Sequence, residues 1–496
     1  MTAEVVIVGG GFAGLEAARA LRRAPVRVTL VDRTNHHLFQ PLLYQVATAG
    51  LDMADIAAPI RQVLRNQANA TVLLGEVTGV DLPARRVQLA SGASLGYDAL
   101  ILAPGAVTQY FGHDEWAVDA PGLKDGADAL AIRNRILLAY EAAERERDER
   151  RRAALLTFVV IGGGPTGVEL AGALADIARH TLTRNFRTFD ARDSRIVLIE
   201  AGPRLLAALP GPLAEYSVRR LERMGVEVRA GWRVVGVDRE GVSIERVPPP
   251  AAPGAAPVTA PAEKLQAATV LWAAGVKASP LMRALGVPLD RAGRVAVRED
   301  LSLPGHPEVF VIGDCAAVRD ADAEAEASPS TAGSAPRPER WVPGMAPAAI
   351  QMGRHAARNV ANLLAGQPTQ PFRYRDRGDL ATIGRTAAVA RLPHLRMSGW
   401  PAWLLWVAVH IAQLISFRNR LVVLVEWLWF YITRQRGARV VITGAAPPLL
   451  DPAAPPRSQV PAERRVLASS SPCGRGRVKS SPRKAARCDR AEAAPS

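Results

Sequence analysis

EVVIVGGGFAGLEAARALRR, residues 4–23, decides how the chain begins to fold. The short β-branched run 4–8 reads as a strand buried on both faces in a parallel sheet, and the alanine- and leucine-rich stretch after the glycines reads as a helix. Between them stands Gly9-x-Gly11-x-x-Gly14. In that setting the glycines allow a tight turn, let the main chain approach a pyrophosphate and let helix pack on strand. The helix N-terminus adds unpaired N–H groups and a partial positive charge. Such a motif alone is a weak sign. Here VRVTLVD (26–32) supplies the next strand and ends on Asp32, eighteen residues after Gly14, where a carboxylate accepts hydrogen bonds from a ribose.

The device occurs twice. LTFVVIGGGPTGVELAGALADIAR (156–179) repeats the order of strand, glycine turn and helix with Gly162, Gly164 and Gly167, and SRIVLIE (194–200) ends on Glu200. An acid there favours the free 2′-hydroxyl of NADH and repels the 2′-phosphate of NADPH, although Arg204, four residues on, could meet a phosphate. Two dinucleotide sites imply two dinucleotides. HPEVFVIGDCAAV (306–318) is a buried strand closing on Gly313 and Asp314, a glycine–acid pair able to approach a ribityl chain. Flavin dehydrogenases complete an N-terminal FAD site with such a late segment, so the first motif is assigned FAD and the second NADH.

The 496 residues suggest about three compact units. A hydrophobic fraction of 48% with 22% charged residues excludes both a disordered chain and a polytopic membrane protein. Cys315, Cys473 and Cys488 are too few and too scattered for a disulfide scaffold, which points to a reducing compartment. No Cys/His cluster has metal-ligand spacing, so no metal is expected. The N-terminus has no basic start and reads as a strand rather than a signal peptide. Residues 130–152 read as one long helix, charged all round at its end, that serves as a solvated connector. The stretches 247–262 and 321–340 read as low-complexity loops, and the chain from 445 onward as a disordered tail.

GWPAWLLWVAVHIAQLISF (399–417) is nineteen residues without fixed charge, long enough to span a bilayer, yet Trp400, Trp403 and Trp406 crowd one end and His410 lies inside. LVVLVEWLWFYIT (421–433) is too short to cross back and contains Glu426, and Arg418, Arg420, Arg434, Arg436 and Arg439 flank both stretches. The pattern predicts two helices lying in the headgroup region, in preference to a single-pass anchor or a buried core or dimer helix. Charge agrees. Of the net +15, residues 385–496 hold 18 basic and 5 acidic side chains, leaving 44 basic against 42 acidic before them. Five of the nine tryptophans also fall in 400–429, a pairing that favours a lipid surface over nucleic acid.

Taken together these stretches resemble the type II NADH dehydrogenases, single-subunit NADH:quinone oxidoreductases among the flavoproteins with two dinucleotide-binding domains. VDRTNHHLFQPLLYQVATAGL (31–51), GGGPTGVELAGALAD (162–176), TVLWAAGVKASPL (269–281), VPGMAPAAIQMGRHAARNV (342–360) and the Trp-rich 399–444 carry the resemblance. It implies an α/β fold of two Rossmann-like domains, a C-terminal membrane-associating helical region and the tail. The corresponding boundaries are FAD domain 1–125 and 286–384, inserted NADH domain 126–285, membrane region 385–444 and tail 445–496. It implies noncovalent FAD held by Gly11, Gly14, Asp32 and Asp314, and NADH as co-substrate bound or bordered by Gly164, Gly167, Glu200 and Gly275. It places Gln351 on the quinone pocket near the flavin ring and Glu169 near the nicotinamide and the quinone path. Pro347 stands where some members have glutamine, and Pro104 where related flavoproteins often have threonine. The activity implied is hydride transfer from NADH to FAD and two electrons on to a membrane quinone, without proton pumping, at the cytoplasmic side of the cell inner membrane; a homodimer stays open. Without a redox-active cysteine pair the chain departs from disulfide reductases and sulfide:quinone oxidoreductases. The rivals are a soluble FAD-dependent NAD(P)H reductase of an iron–sulfur protein, which has no use for the Trp-rich segment, and a non-catalytic nucleotide-binding redox sensor.

Overall fold

The computed structural model describes residues 2–248, 261–320 and 340–441. Most of the expected loop 247–262, nearly all of 321–340 and the whole tail from 445 lie outside the described residues. Strand β1 (Ala3–Val8), helix α1 (Phe12–Ala20) and strand β2 (Val26–Asp32) form the first glycine unit, with β1 and β2 parallel from Ala3↔Val26 to Val8↔Val31. Strands β3 (Ala70–Leu74) and β4 (Ala99–Leu102) extend the sheet on either side. Val5 to Val8 are buried, as a strand covered on both faces must be. Each such aliphatic side chain contributes about 1.5–3 kcal/mol.

Helix α2 (Gly126–Arg145) starts at a capping box between Asp125 and Asp128 and stops at Glu146, which is extended; Asp148 caps a separate helix, α3 (Glu149–Leu155). The single helix expected over 130–152 is therefore two. Nor is it a solvated connector, because Ile132, Ile136 and Tyr140 of α2 are buried in a core shared with Phe39 and Leu43. The charged end that suggested solvation is where the helix breaks.

The second unit consists of β5 (Thr157–Ile161), α4 (Pro165–Asp176), β6 (Arg195–Glu200), β7 (Val226–Ala230) and β8 (Thr269–Trp272), with an all-parallel strand order β7-β6-β5-β8. The chain then rejoins the first sheet. Strands β9 (Ser302–Leu303) and β10 (His306–Val311) complete the six-stranded order β9-β10-β4-β1-β2-β3, with β10 parallel to β4. Helix α5 (Ala346–Leu364) carries Pro347 in its first turn, where a missing N–H removes no helical hydrogen bond.

Three antiparallel strands follow, β11 (Asp379–Thr382), β12 (Ala388–Arg391) and β13 (Arg396–Gly399), so the expected boundary between 384 and 385 falls in the turn of a hairpin. They lead into α6 (Trp400–Gln413) and α7 (Phe417–Thr433). The nineteen-residue uncharged run is broken after Gln413, and among the described residues no helix is long and apolar enough to cross a membrane. Ala402, Trp406, Val423 and Trp427 on the inner sides of α6 and α7 join the core that holds Leu170, Ala171 and Leu174 of α4. The outer side of α7 stays in solvent: Phe417, Leu421, Leu424, Val425, Leu428, Trp429 and Ile432 are all exposed, Phe417 by 79% and Ile432 by 72%.

Candidate functional site

The two glycine turns have the same geometry. Gly9 and Gly162 adopt φ of +100° and +111°, and a Cβ on them would lie 2.2 Å from the Ala103 carbonyl oxygen and 2.6 Å from the Ala273 carbonyl. On Gly14 and Gly167 a Cβ would lie 1.9 and 1.8 Å from the carbonyl oxygens of Gly9 and Gly162, so helix and strand could not approach. Gly11 and Gly164 differ: each stands at the N-cap of its helix and has no protein atom within 4 Å of a would-be Cβ. Open space before a helix N-terminus with its first-turn N–H groups free is what a pyrophosphate requires. The residues fit a dinucleotide at both turns.

Each strand-end acid is held in place. Asp32 accepts from Gly10 N (2.6 Å), Thr34 N (2.6 Å) and Thr34 Oγ1 (2.7 Å), and Glu200 accepts from Gly163 N and Gly202 N, both at 2.6 Å. At the end of β10, Gly313 has φ +72° and Asp314 lies 3.4 Å from Lys124 Nζ, a partner that sequence reading missed because it comes from the loop before α2. Cys315 is fully buried, donates to Gly105 O (2.8 Å), and burial pushes its thiol up to about 12, which makes it inert packing. Gly275, just past β8, has φ +88°, and the ring of exposed Phe111 comes within 3.1 Å of a would-be Cβ.

A narrow cleft, with about 60 Å³ open to the centres of water molecules, lies between α4 and the C-terminal helices. Glu169, Ala173 and Asp176 of α4 form its floor, and Tyr44, Gln45 and Thr48 one side. Thr382, Gly384 and Arg385 of the β11–β12 hairpin, with Trp403, Trp406, Trp427, Phe430, Tyr431 and Arg436, close the rest. Glu169 is buried and, among the described residues, accepts only a long hydrogen bond from Thr382 N (3.3 Å). Burial therefore dominates and pushes its carboxyl up to about 8. Tyr44 is likewise raised, by burial and then by the nearby Glu169. Trp427 Nε1 donates to Gln45 Oε1 (2.8 Å) and Gln45 Nε2 to the Tyr44 hydroxyl (2.9 Å), tying α7 to the short helix Leu43–Ala47.

Arg436 is buried as well. It donates to Thr48 O (2.5 Å) and Ala173 O (3.4 Å), lies 5.0 Å over the Phe430 ring, and leaves Nε without a partner among the described residues. Burial lowers its proton affinity, an effect that Asp176 opposes. His410 donates from Nδ1 to Trp406 O (2.7 Å), and burial drops it to about 4, so it is neutral at physiological pH.

Gln351 is not on the wall of this cleft. Its carboxamide donates to Arg375 O and accepts from Arg375 N, both at 3.0 Å, which fixes the segment leading into β11. Of the two residues expected near the quinone path, Glu169 faces the cleft and Gln351 braces the strand whose Thr382 N–H meets Glu169. The polar groups that meet Glu169 across the cleft, namely Tyr44, Arg385 and Arg436, carry no motif that would have singled them out, and Asp176, two turns on along α4, reads from sequence as plain helix.

Residues 3–353 match the pyridine nucleotide-disulphide oxidoreductase family, and residues 377–435 the NDH2 C-terminal domain. The chain is 43% identical over 443 residues to the type II NADH:quinone oxidoreductase Ndh of Mycobacterium tuberculosis, covering 87% of this chain and 89% of that one. It is 41% identical over 449 residues to NdhA of the same organism, covering 88% and 89%. In fold it is similar to NDH2 from Plasmodium falciparum solved in complex with NADH, with a TM-score of 0.78 at 21% identity, covering 89% of this chain and all of that one.

Proposed function

The chain belongs to the type II NADH:quinone oxidoreductase family, and from that membership we propose that it is a membrane-associated flavoenzyme oxidising NADH with a quinone. The observation that carries the reading is the cleft, floored by the helix of one nucleotide unit and walled by helices whose outer side is apolar and exposed. Bound FAD would supply the chemistry, accepting hydride from NADH and releasing two electrons to the quinone. The protein's own residues bind, orient and move protons.

In this reading the FAD unit is 1–125 with 286–384, and the NADH unit is 126–285. Gly9, Gly11, Gly14 and Asp32 hold the FAD pyrophosphate and adenosine ribose, and Gly313 and Asp314, with Lys124 beside the acid, take the ribityl side. Gly162, Gly164, Gly167 and Glu200 hold NADH, and Gly275 borders its nicotinamide end. Glu169 keeps a proton at its carboxyl and gives it to the reduced quinone. Gln351 acts on the same acid indirectly, through the strand it braces.

The exposed stripe of α7, with Arg418 and Arg434 at its two ends, supports attachment to a lipid surface without crossing it. The reading places the enzyme at the cytoplasmic side of the cell inner membrane, non-electrogenic because both half-reactions take place on that side. A second copy of the chain is the competing cover for the stripe, and the size of the detergent-free protein distinguishes the two.

Steady-state NADH oxidation by purified protein against a panel of short-chain quinones, with and without vesicles, is the test. Yellow protein whose NADH oxidation depends on quinone is expected. Colourless protein, or oxidation indifferent to quinone, would refute the proposal.

A further inference from the structure

Quinone becomes quinol by taking two electrons and forming two O–H bonds, one at each end of its ring. The sum is NADH + H⁺ + quinone → NAD⁺ + quinol, so one proton per turnover comes from water. Glu169 can serve one oxygen only, and the other requires its own donor.

Asp176 lines the same cleft, on the same helix, seven residues beyond Glu169. Seven residues are two helical turns, so the two acids share a face about 10 Å apart along the axis. Ala173 lies between them on the floor of the cleft, where its small side chain leaves room between the two acids. Asp176 is 6% exposed; among the described residues its carboxyl receives no hydrogen bond or ion pair, and its oxygens keep some open surface on the cleft. Beside it the Nε of buried Arg436 also has no partner. An acid whose carboxyl opens on the cleft and, next to it, a buried donor without a partner make a place fitted to hold a ligand.

We infer that Asp176 is a second acid of the quinone cleft, its carboxyl giving a proton to the quinone oxygen that Arg436 holds, at the ring end opposite Glu169. The inference rests on the quinone-reducing reading above. In the step, the O–H bond of the Asp176 carboxyl breaks and an O–H bond of the quinol forms. The electrons come from reduced flavin, whose released proton balances the one that Glu169 gives, and the Asp176 carboxylate left behind regains its proton from solvent, the one proton per turnover drawn from water.

The surroundings suit both states. Burial favours the neutral acid and raises Asp176 above the ordinary aspartate range. Arg436 after α7, Arg385 on the hairpin, Arg220 on helix Gly211–Arg223 and His180 on the following turn all oppose that rise and stabilise the carboxylate once formed, and Tyr431 of α7 also faces it. His180 is exposed, on a π-turn (Ile177–Thr181) that continues α4 directly, which gives the proton a way in from water.

The test uses the full-length, flavin-loaded protein and a short-chain benzoquinone, following flavin reduction by NADH and flavin reoxidation separately from pH 6 to 9. Asp176→Asn should slow reoxidation on the order of 100-fold and leave reduction unchanged, while Asp176→Glu restores part of the rate. Glu169→Gln should keep a decline of reoxidation with rising pH that Glu169→Gln/Asp176→Asn lacks. Reoxidation of Asp176→Asn at the wild-type rate with the wild-type pH profile would overturn the inference. So would pH-independent reoxidation in Glu169→Gln, a measurement that stands even if the Asn variant cannot retain flavin. Failure of the parent reading looks different, because wild-type flavin would then not be reoxidised by quinone at all.

Discussion

Replacing Glu169 by Gln should slow the enzyme and stabilise it at the same time. The native carboxyl is held near 8 by burial, whereas in the unfolded chain it returns to an ordinary glutamate value near 4.5. Between those values the native state keeps a proton that the unfolded state has lost, so wild-type stability falls as pH rises and levels off above about 8. From 4.5 to 7 is two and a half units at about 1.4 kcal/mol each, or about 3 kcal/mol. Glutamine is neutral throughout and still offers an oxygen to Thr382 N, so the variant escapes this loss. Spread over about 400 ordered residues with an unfolding entropy of about 2.1 cal/mol/K each, the gain is about 3–4 °C in Tm at pH 7.

Thermal unfolding of both proteins from pH 4.5 to 9 gives the answer, combined with stopped-flow measurement of the two half-reactions. The melting curves should meet near pH 4.5 and separate with rising pH. Flavin reduction by NADH should be unchanged, while reoxidation by quinone drops by a factor on the order of 10² to 10⁴, the usual contribution of a positioned acid. A melting difference that does not grow with pH would mean that the native carboxyl is already ionised. Glu169 would then be an ordinary structural carboxylate, and its role as a proton donor would fall.

Other substitutions separate holding a cofactor from holding the fold. Gly11→Ala should melt close to wild type but purify with little flavin, because its methyl projects only into open space; Gly14→Ala, whose methyl would meet a carbonyl at 1.9 Å, should lose stability as well, and equal melting of the two would contradict the geometry. Glu200→Gln removes the charge facing a 2′-phosphate and should raise the NADPH-to-NADH ratio of kcat/KM roughly tenfold, for about 1.4 kcal/mol of relieved repulsion; an unchanged ratio would show that Glu200 does not set the preference. Leu428→Asp with Ile432→Asp charges the outer side of α7 without touching the cleft. Vesicle flotation should fall at least tenfold while reduction of a water-soluble quinone persists, given about 1.5–3 kcal/mol for each large apolar side chain withdrawn from lipid.

The two nucleotide turns were legible in the sequence because everything that defines them is local: strand, glycines, helix and the acid at the end of the next strand lie within a few dozen residues. Their backbone demands also admit no side chain at Gly9, Gly14, Gly162 or Gly167. Glu169 and Asp176 sit inside one such motif and could be read, the first as a candidate and the second as plain helix. What turns them into a site is a wall assembled from residues 44–48, 382–385 and 403–436, whose convergence no spacing announces. Gln351 shows the same limit from the other side, since nothing in its neighbourhood reveals that both ends of its carboxamide are engaged by Arg375. The helix over 130–152 failed for a local reason: a run of charged residues reads as continuous helix, and only the extended Glu146 and the cap at Asp148 show the break.

Helix α7 presents its exposed apolar stripe on one side and Trp427 and Phe430 of the cleft on the other. A helix is about 10–12 Å across, so the cleft lies about one helix thickness from whatever layer covers that stripe. For a quinone dissolved in that layer, the effective substrate concentration is a surface density, independent of the volume of water around the enzyme. Turnover would then follow the ratio of quinone to lipid, and adding empty vesicles would slow the reaction by dilution at constant total quinone.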